Sequence, residues 1–199
     1  MCSSDLDAGE DERRITLCNA GVMAVDGAVL FDLLDGIGTD NAKGEYYLSD
    51  IVAVAHDRGL VCGVIEGDAR DLPGIDSRAD LAAVEAIVQD RLRAAAMAGG
   101  ATLIDPASVT LSFDTELGRD VVIEPHVIFG PGVRIADNVR IKGFSHLEGA
   151  TVAEGAVIGP FARLRPGARI GPQVRIGNFV EVKNADIERG AKISHLAYV

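Results

Sequence analysis

From residue 111 onward, large aliphatic or aromatic side chains recur every six positions: Leu111, Leu117, Ile123, Phe129, Ile135, Ile141 and Leu147. After one five-residue step the series resumes as Val152, Ile158, Leu164, Ile170, Ile176 and Val182, and after another as Ile187, Ile193 and Val199. Four residues after each stands a second, mostly small side chain, from Thr115 and Val121 through Ser145, Thr151 and Ala156 to Ala191 and Ala197. Only Asp186 breaks that column. Pro125, Pro131, Pro160, Pro166 and Pro172 fall two residues after a large position, and Gly132, Gly155, Gly167 and Gly190 fall three after. The pattern predicts short strands joined by Pro/Gly corners, with one large residue per six pointing inward. No such unit closes a core alone, but stacked coils bury the inward column continuously.

The first hundred residues switch period repeatedly, which predicts mixed α/β structure. Ile15 to Met23 begins with the alternation of a strand. Ala28 to Leu34 fits a short helix stopped by Gly36. Ser49 to Arg58 fits another, with Gly59 as its C-terminal cap, and Leu60 to Ile65 follows as a buried-strand candidate. From Ser77 to Ala98, Leu81, Val84, Ile87, Val88 and Leu92 trace one face of a long helix. Ser77 with Asp80 reads as its capping box, and Gly99-Gly100 ends it. The predicted organisation is therefore residues 1–76, a linker helix over 77–100, and a coil-stacking unit over 101–199.

Composition agrees with two units. The chain has 199 residues, 48% of them hydrophobic, enough to bury a core, and a net charge of −11. Residues 1–110 carry −12 and residues 111–199 carry +1. An acidic chain lacks the basic footprint that binding to a nucleic-acid backbone requires. Cys2, Cys18 and Cys62 form neither a metal-ligand spacing nor an even disulfide set, so free thiols and a cytoplasmic location are expected. No apolar run approaches the ~18 residues of a membrane span, and Met1 to Leu6 has no signal-peptide character.

The hexads resemble the hexapeptide-repeat, left-handed parallel β-helix family, in which three hexads make one triangular coil. The match covers about five coils. Further strings narrow the resemblance: Asn41-Ala42-Lys43-Gly44-Glu45-Tyr46-Tyr47-Leu48-Ser49-Asp50, Gly159-Pro160-Phe161-Ala162-Arg163-Leu164-Arg165-Pro166-Gly167-Ala168, Gly177-Asn178-Phe179-Val180-Glu181-Val182-Lys183 and His195-Leu196-Ala197-Tyr198. In order and spacing they are similar to the bacterial bifunctional N-acetylglucosamine-1-phosphate uridyltransferase / glucosamine-1-phosphate acetyltransferase family. The fold this implies is an α/β nucleotidyltransferase-like (Rossmann-like) portion, the linker helix, and the β-helix. The family's Gly-x-Gly-Thr-Arg-Met loop, lysine and magnesium-binding aspartate have no counterpart in the chain, which reads as an internal fragment expected to be inactive alone. Met1 to Leu6 does not resemble the family.

The resemblance implies acetyl transfer from acetyl-CoA to glucosamine-1-phosphate, then uridylyl transfer from UTP with Mg²⁺, in a homotrimer assembled through the β-helix. It implies His195 as the base that deprotonates the attacking amine. Imidazole suits this because it changes charge near neutral pH. Arg165 and Lys183, 18 residues apart and hence stacked on one edge, would grip the sugar phosphate, and Tyr198 would position the sugar. By spacing alone the two cations read as an anion site without carboxylate partners or as a solvated basic pair. Asn19 would contact UDP-N-acetylglucosamine, as would Asp76, which replaces an asparagine and would also hold the metal. Asn19 reads equally as a turn residue, and Asp76 as a helix-start residue. Glu45 and Tyr47 lie near the family's sugar pocket.

A β-helical carbonic anhydrase is disfavoured because His126, His146 and His195 occupy different hexad phases. Two alternatives stay open. One is a sugar-nucleotide pyrophosphorylase with a structural β-helix, and the other is a non-catalytic scaffold.

Overall fold

The computed structural model describes residues 8–199 and divides the chain into two compact units, Met1–Leu81 and Ala82–Val199. In the first, α1 (Leu30–Leu34) and α2 (Ile51–Asp57) surround a small core of Leu33, Ile37, Ile51 and Ala55. α2 ends where the sequence places the glycine cap. Gly59, at φ 72°, donates to the His56 carbonyl, and Leu60 donates to that of Ala55.

The two strands expected in this unit are absent. Residues 15–23 and 60–65 have no regular structure, and Val61 and Ile65 are each 98% exposed. A strand exists only through ladder bonds to a neighbour, and among the described residues neither segment has one. Periodicity reports what a segment could pair with, not whether a partner is present.

The second unit opens with α3 (Arg78–Ala98, reaching back into the first by four residues). At its start, the Ser77 hydroxyl accepts from the Asp80 N–H at 3.1 Å and donates to the Asp80 carboxylate at 2.7 Å, which holds that carboxyl below the usual carboxylate range. At its end, Gly100 at φ 105° donates to Met97, and Ala101 donates to Ala96.

Beyond α3 the chain winds into a parallel solenoid of about five triangular coils, which fits a left-handed β-helix. Strands on three faces stack in register. Leu103, Ile123, Ile141, Ile158, Ile176 and Ile193 align on the first face. Phe129, Leu147, Leu164 and Val182 align on the second, and Leu117, Ile135, Val152, Ile170 and Ile187 on the third. From Ile123 to Val182 every large position of the repeat is at most 4% exposed.

The small inward column departs from the forward count at both five-residue steps. Ala150 is 1% exposed and Thr151 is exposed; likewise Asp186 is exposed, with Ala185 packed against the core. The inward residue is set two before the next large one, because alternation within a strand fixes it. Asp186 therefore never entered the core, and it pairs outside with Arg169. Ala150→Asp should cost about 3–5 kcal/mol, as an unpaired buried charge does. Thr151→Asp, one residue on, should leave the urea midpoint almost unchanged.

Most corners turn on a left-handed residue. Glycine takes that place at Gly132, Gly149, Gly155, Gly167 and Gly190, but Asp120, His126, Asn138, Phe144, Phe161, Gln173, Phe179, Asn184 and Leu196 adopt it too, with φ between 48° and 60°. Bonds between coils hold many of these turns. The N–H groups of Asn138, Phe161, Gln173 and Phe179, for example, donate to carbonyls one coil earlier. This offsets the roughly 1–2 kcal/mol that the conformation costs a residue with a Cβ.

α3 covers the open edge of the first coil. The buried Gln89 side chain accepts from the Leu111 N–H at 2.9 Å and donates to the Leu111 carbonyl at 2.7 Å, so its amide stands in for a neighbouring strand. Arg93 donates to the Val109 carbonyl, and Leu92 and Ala96 pack on the core. Leu81 and Val88, expected on the apolar face, are 54% and 38% exposed. The unpaired strand backbone needed a donor and an acceptor, and that need set the docked face.

Candidate functional site

Arg165 and Lys183 are the first residues beyond consecutive strands of the second face, whose last inward residues Leu164 and Val182 are register partners. They stack one coil apart, as the 18-residue spacing predicts. Arg165 is not free of a carboxylate: its guanidinium donates to Glu181 Oε1 at 2.9 Å, both side chains being about one third exposed. Sequence spacing missed this because Glu181 comes from the next coil and sits beside Arg163 in register. The pair takes one of five guanidinium donors and fixes the group's direction, leaving others for an anion. Lys183 is exposed, and no carboxylate among the described residues lies within ion-pair distance of it.

Tyr198 is the register partner of Glu181 one coil on, outward and 69% exposed. Arg165, Glu181, Lys183 and Tyr198 therefore share one edge of the second face. His195 does not join them. It is exposed, aligns with Asn178, and precedes Leu196, so it lies at the corner between the first and second faces. Three residues separate it from Tyr198, roughly 10 Å of extended chain. Within the chain, the phosphate-type cations and the imidazole stand at opposite margins of the second face.

The other histidines stay apart. His146 is an outward neighbour of Arg163, while His126 starts a corner ladder in which His126, Phe144, Phe161 and Phe179 stack with ring centroids 4.8, 5.0 and 5.2 Å apart. Sequence reading passed over this ladder, although its signal was present: an aromatic ring three residues after a large position at steps of 18, 17 and 18.

In the first unit, Asn19 Oδ1 accepts from the Gly21 N–H at 2.9 Å, the geometry of a side-chain-closed turn. Asp76 lies just before the cap of α3, where its N–H donates to the Asp80 carboxylate. Magnesium takes several oxygens in octahedral array, and among the described residues no three metal-ligating side chains cluster. Asp76 alone does not fit such a site. Tyr47 is buried and Glu45 exposed, and the Asn41 side chain bonds the Lys43 and Glu45 backbone to close their loop. Cys18 and Cys62 are exposed thiols; Cys2 lies outside the described residues. No helix among the described residues is long and apolar enough to cross a membrane.

The family described as bacterial transferase hexapeptide (six repeats) matches residues 114–149 and 149–184. The bifunctional protein GlmU of Paramagnetospirillum magneticum is 59% identical over 193 residues, 97% of this chain and 43% of that protein. That of Xanthobacter autotrophicus is 56% identical over the same shares. The chain thus spans about two fifths of the length of these curated relatives. Among solved structures, the acetyltransferase domain of PglB from Neisseria gonorrhoeae in complex with acetyl coenzyme A is 16% identical, with a TM-score of 0.27 over 68% of this chain and 82% of that one. A likeness so distant has no bearing on function.

Proposed function

Because the chain belongs to the bifunctional GlmU family, as part of such a protein, we propose that the whole protein makes UDP-N-acetylglucosamine in two steps. The β-helix transfers acetyl from acetyl-CoA to the amine of glucosamine-1-phosphate. The α/β portion, of Rossmann-like type and spanning residues 1–76 here, then transfers uridylyl from UTP and releases pyrophosphate. Residues 77–100 link it to the β-helix, residues 101–199. The observation that carries this reading is the shared edge of Arg165, Lys183 and Tyr198, a cationic grip beside a hydroxyl.

In the acetyl-transfer step, the Arg165 fork, steadied by Glu181, and the Lys183 point charge bind the sugar phosphate. Tyr198 orients the ring. His195 takes the proton from the amine as nitrogen attacks the thioester carbon, and the thiolate of coenzyme A leaves. The separation of His195 from the cations within one chain supports a site completed between subunits, and we assign the protein a homotrimeric state through its β-helix. Asn19 and Asp76 are assigned to UDP-N-acetylglucosamine, with no step routed through a metal at Asp76. These substrates support a cytoplasmic location for the protein.

The test is to supply the complete protein with glucosamine-1-phosphate, acetyl-CoA and UTP. Formation of UDP-N-acetylglucosamine through an acetylated sugar phosphate is expected. A protein that makes the UDP-sugar from N-acetylglucosamine-1-phosphate but never acetylates glucosamine-1-phosphate would be a pyrophosphorylase with a structural β-helix.

A further inference from the structure

Some basic residues of the β-helix are paired and others, Lys183 on the second face among them, are not. On the second and third faces, Arg134, Arg165 and Arg169 each pair with a carboxylate, from Glu116, Glu181 and Asp186. On the first face, Arg140, Arg175 and Lys192 stand in one outward column interrupted only by Val157, and Lys142 stands in the next. Among the described residues no carboxylate lies within ion-pair distance of any of these four. The chain as a whole carries −11, so this unneutralised strip is a local feature rather than a reflection of overall basicity.

Three of the four surround a cleft of ≈ 420 Å³. Lys142, Arg175 and Lys192 line it together with Gly159, Gly177 and Ser194. Gly159 and Gly177 raise no side chain over that part of the face, so the long basic side chains can fold in from both ends. Arg175 and Lys192 come from adjacent coils, about 4.8 Å apart, and Lys142 from two coils before Arg175. Cations held this close repel one another unless an anion sits among them. A single phosphate group reaches two neighbouring coils, whereas two linked phosphates reach all three cations.

The geometry points to this cleft as a binding site for a diphosphate group, free or carried on a nucleotide, separate from the Arg165 and Lys183 edge. Ser194 precedes His195, so the bound anion lies beside that imidazole.

Calorimetry of the 199-residue chain with inorganic diphosphate, with UDP, and with sulfate as control tests this. Diphosphate binds, sulfate binds at least tenfold more weakly, and the combined Lys142→Gln, Arg175→Gln and Lys192→Gln variant loses at least tenfold in diphosphate affinity. Arg134→Gln, on the third face and away from both anion sites, leaves that affinity unchanged. UDP binding at least as tightly as diphosphate assigns the site to a nucleotide-borne group, and binding of diphosphate alone assigns it to the free anion. The replaced side chains are outward and make no ion pair, so the circular dichroism and melting of the variant match the parent. Arg175→Gln alone gives a second, milder measure of the same loss. Unchanged affinity in the triple variant, loss in Arg134→Gln, sulfate binding as tight as diphosphate, or no binding at millimolar diphosphate overturns the assignment.

Discussion

His195→Ala in the complete protein is expected to lower kcat for acetyl transfer by about 10²- to 10⁴-fold, the range for removal of a general base, the role proposed for this histidine. The Michaelis constant for glucosamine-1-phosphate changes far less, because the base contributes only as the amine loses its proton in the transition state. Uridylyl transfer is unaffected, since His195 belongs to the β-helix. The measurement is steady-state kinetics of both half-reactions on the same preparation. A His195→Ala rate within about threefold of the parent would return this exposed histidine to an ordinary surface role and leave the β-helix a scaffold.

Gly177→Ala is the second large effect, and its cause is steric. A Cβ at Gly177 would fall onto the carbonyl of Ser194, with the Ser194 carbon at 2.6 Å and the Ile193 carbonyl oxygen at 3.2 Å. All three are backbone atoms, so no side-chain rotation relieves the clash. The strand Lys192–Tyr198 pairs along its length with Arg175–Val182 and carries both His195 and Tyr198. The substitution should therefore lift that strand from its neighbour, reduce acetyl transfer by more than tenfold, and raise amide exchange in residues 192–198. Gly190→Ala is the control: nothing lies within 4 Å of its Cβ, so only the strain of φ 72° is felt. Similar losses from both would show that the close approach at Gly177 has no special role.

The fold of the second unit was legible because its repeat couples one buried large residue to each strand, and alternation leaves little freedom once that residue is placed. Where the repeat shortened, forward counting failed at Thr151 and Asp186, since the corner gives up the residue and the strand does not. The corners were legible only through proline and glycine. Nine other residues hold the same left-handed turn, and their side chains, phenylalanine among them, do not advertise it. Helix ends at Gly59 and Gly100 were readable from local chemistry alone. The strands expected at Ile15 and Leu60 were not realised, because a partner strand is a non-local requirement.

For the candidate site, one-coil spacing correctly stacked Arg165 on Lys183. It missed Glu181, whose contact with Arg165 crosses coils. It also gave no sign that Gln89 of α3 would serve as a strand edge, since the need for that amide arises only once Leu111 has no neighbour.

The central claim is that the edge bearing Arg165 and Lys183 is the sugar-phosphate grip of an acetyltransferase. Its most direct test is the Michaelis constant for glucosamine-1-phosphate in the complete protein carrying Arg165→Ala and Lys183→Ala together. A rise of at least tenfold in that constant is expected, with the Michaelis constants of uridylyl transfer unchanged. A Michaelis constant equal to that of the parent, with acetyl transfer intact, would contradict it.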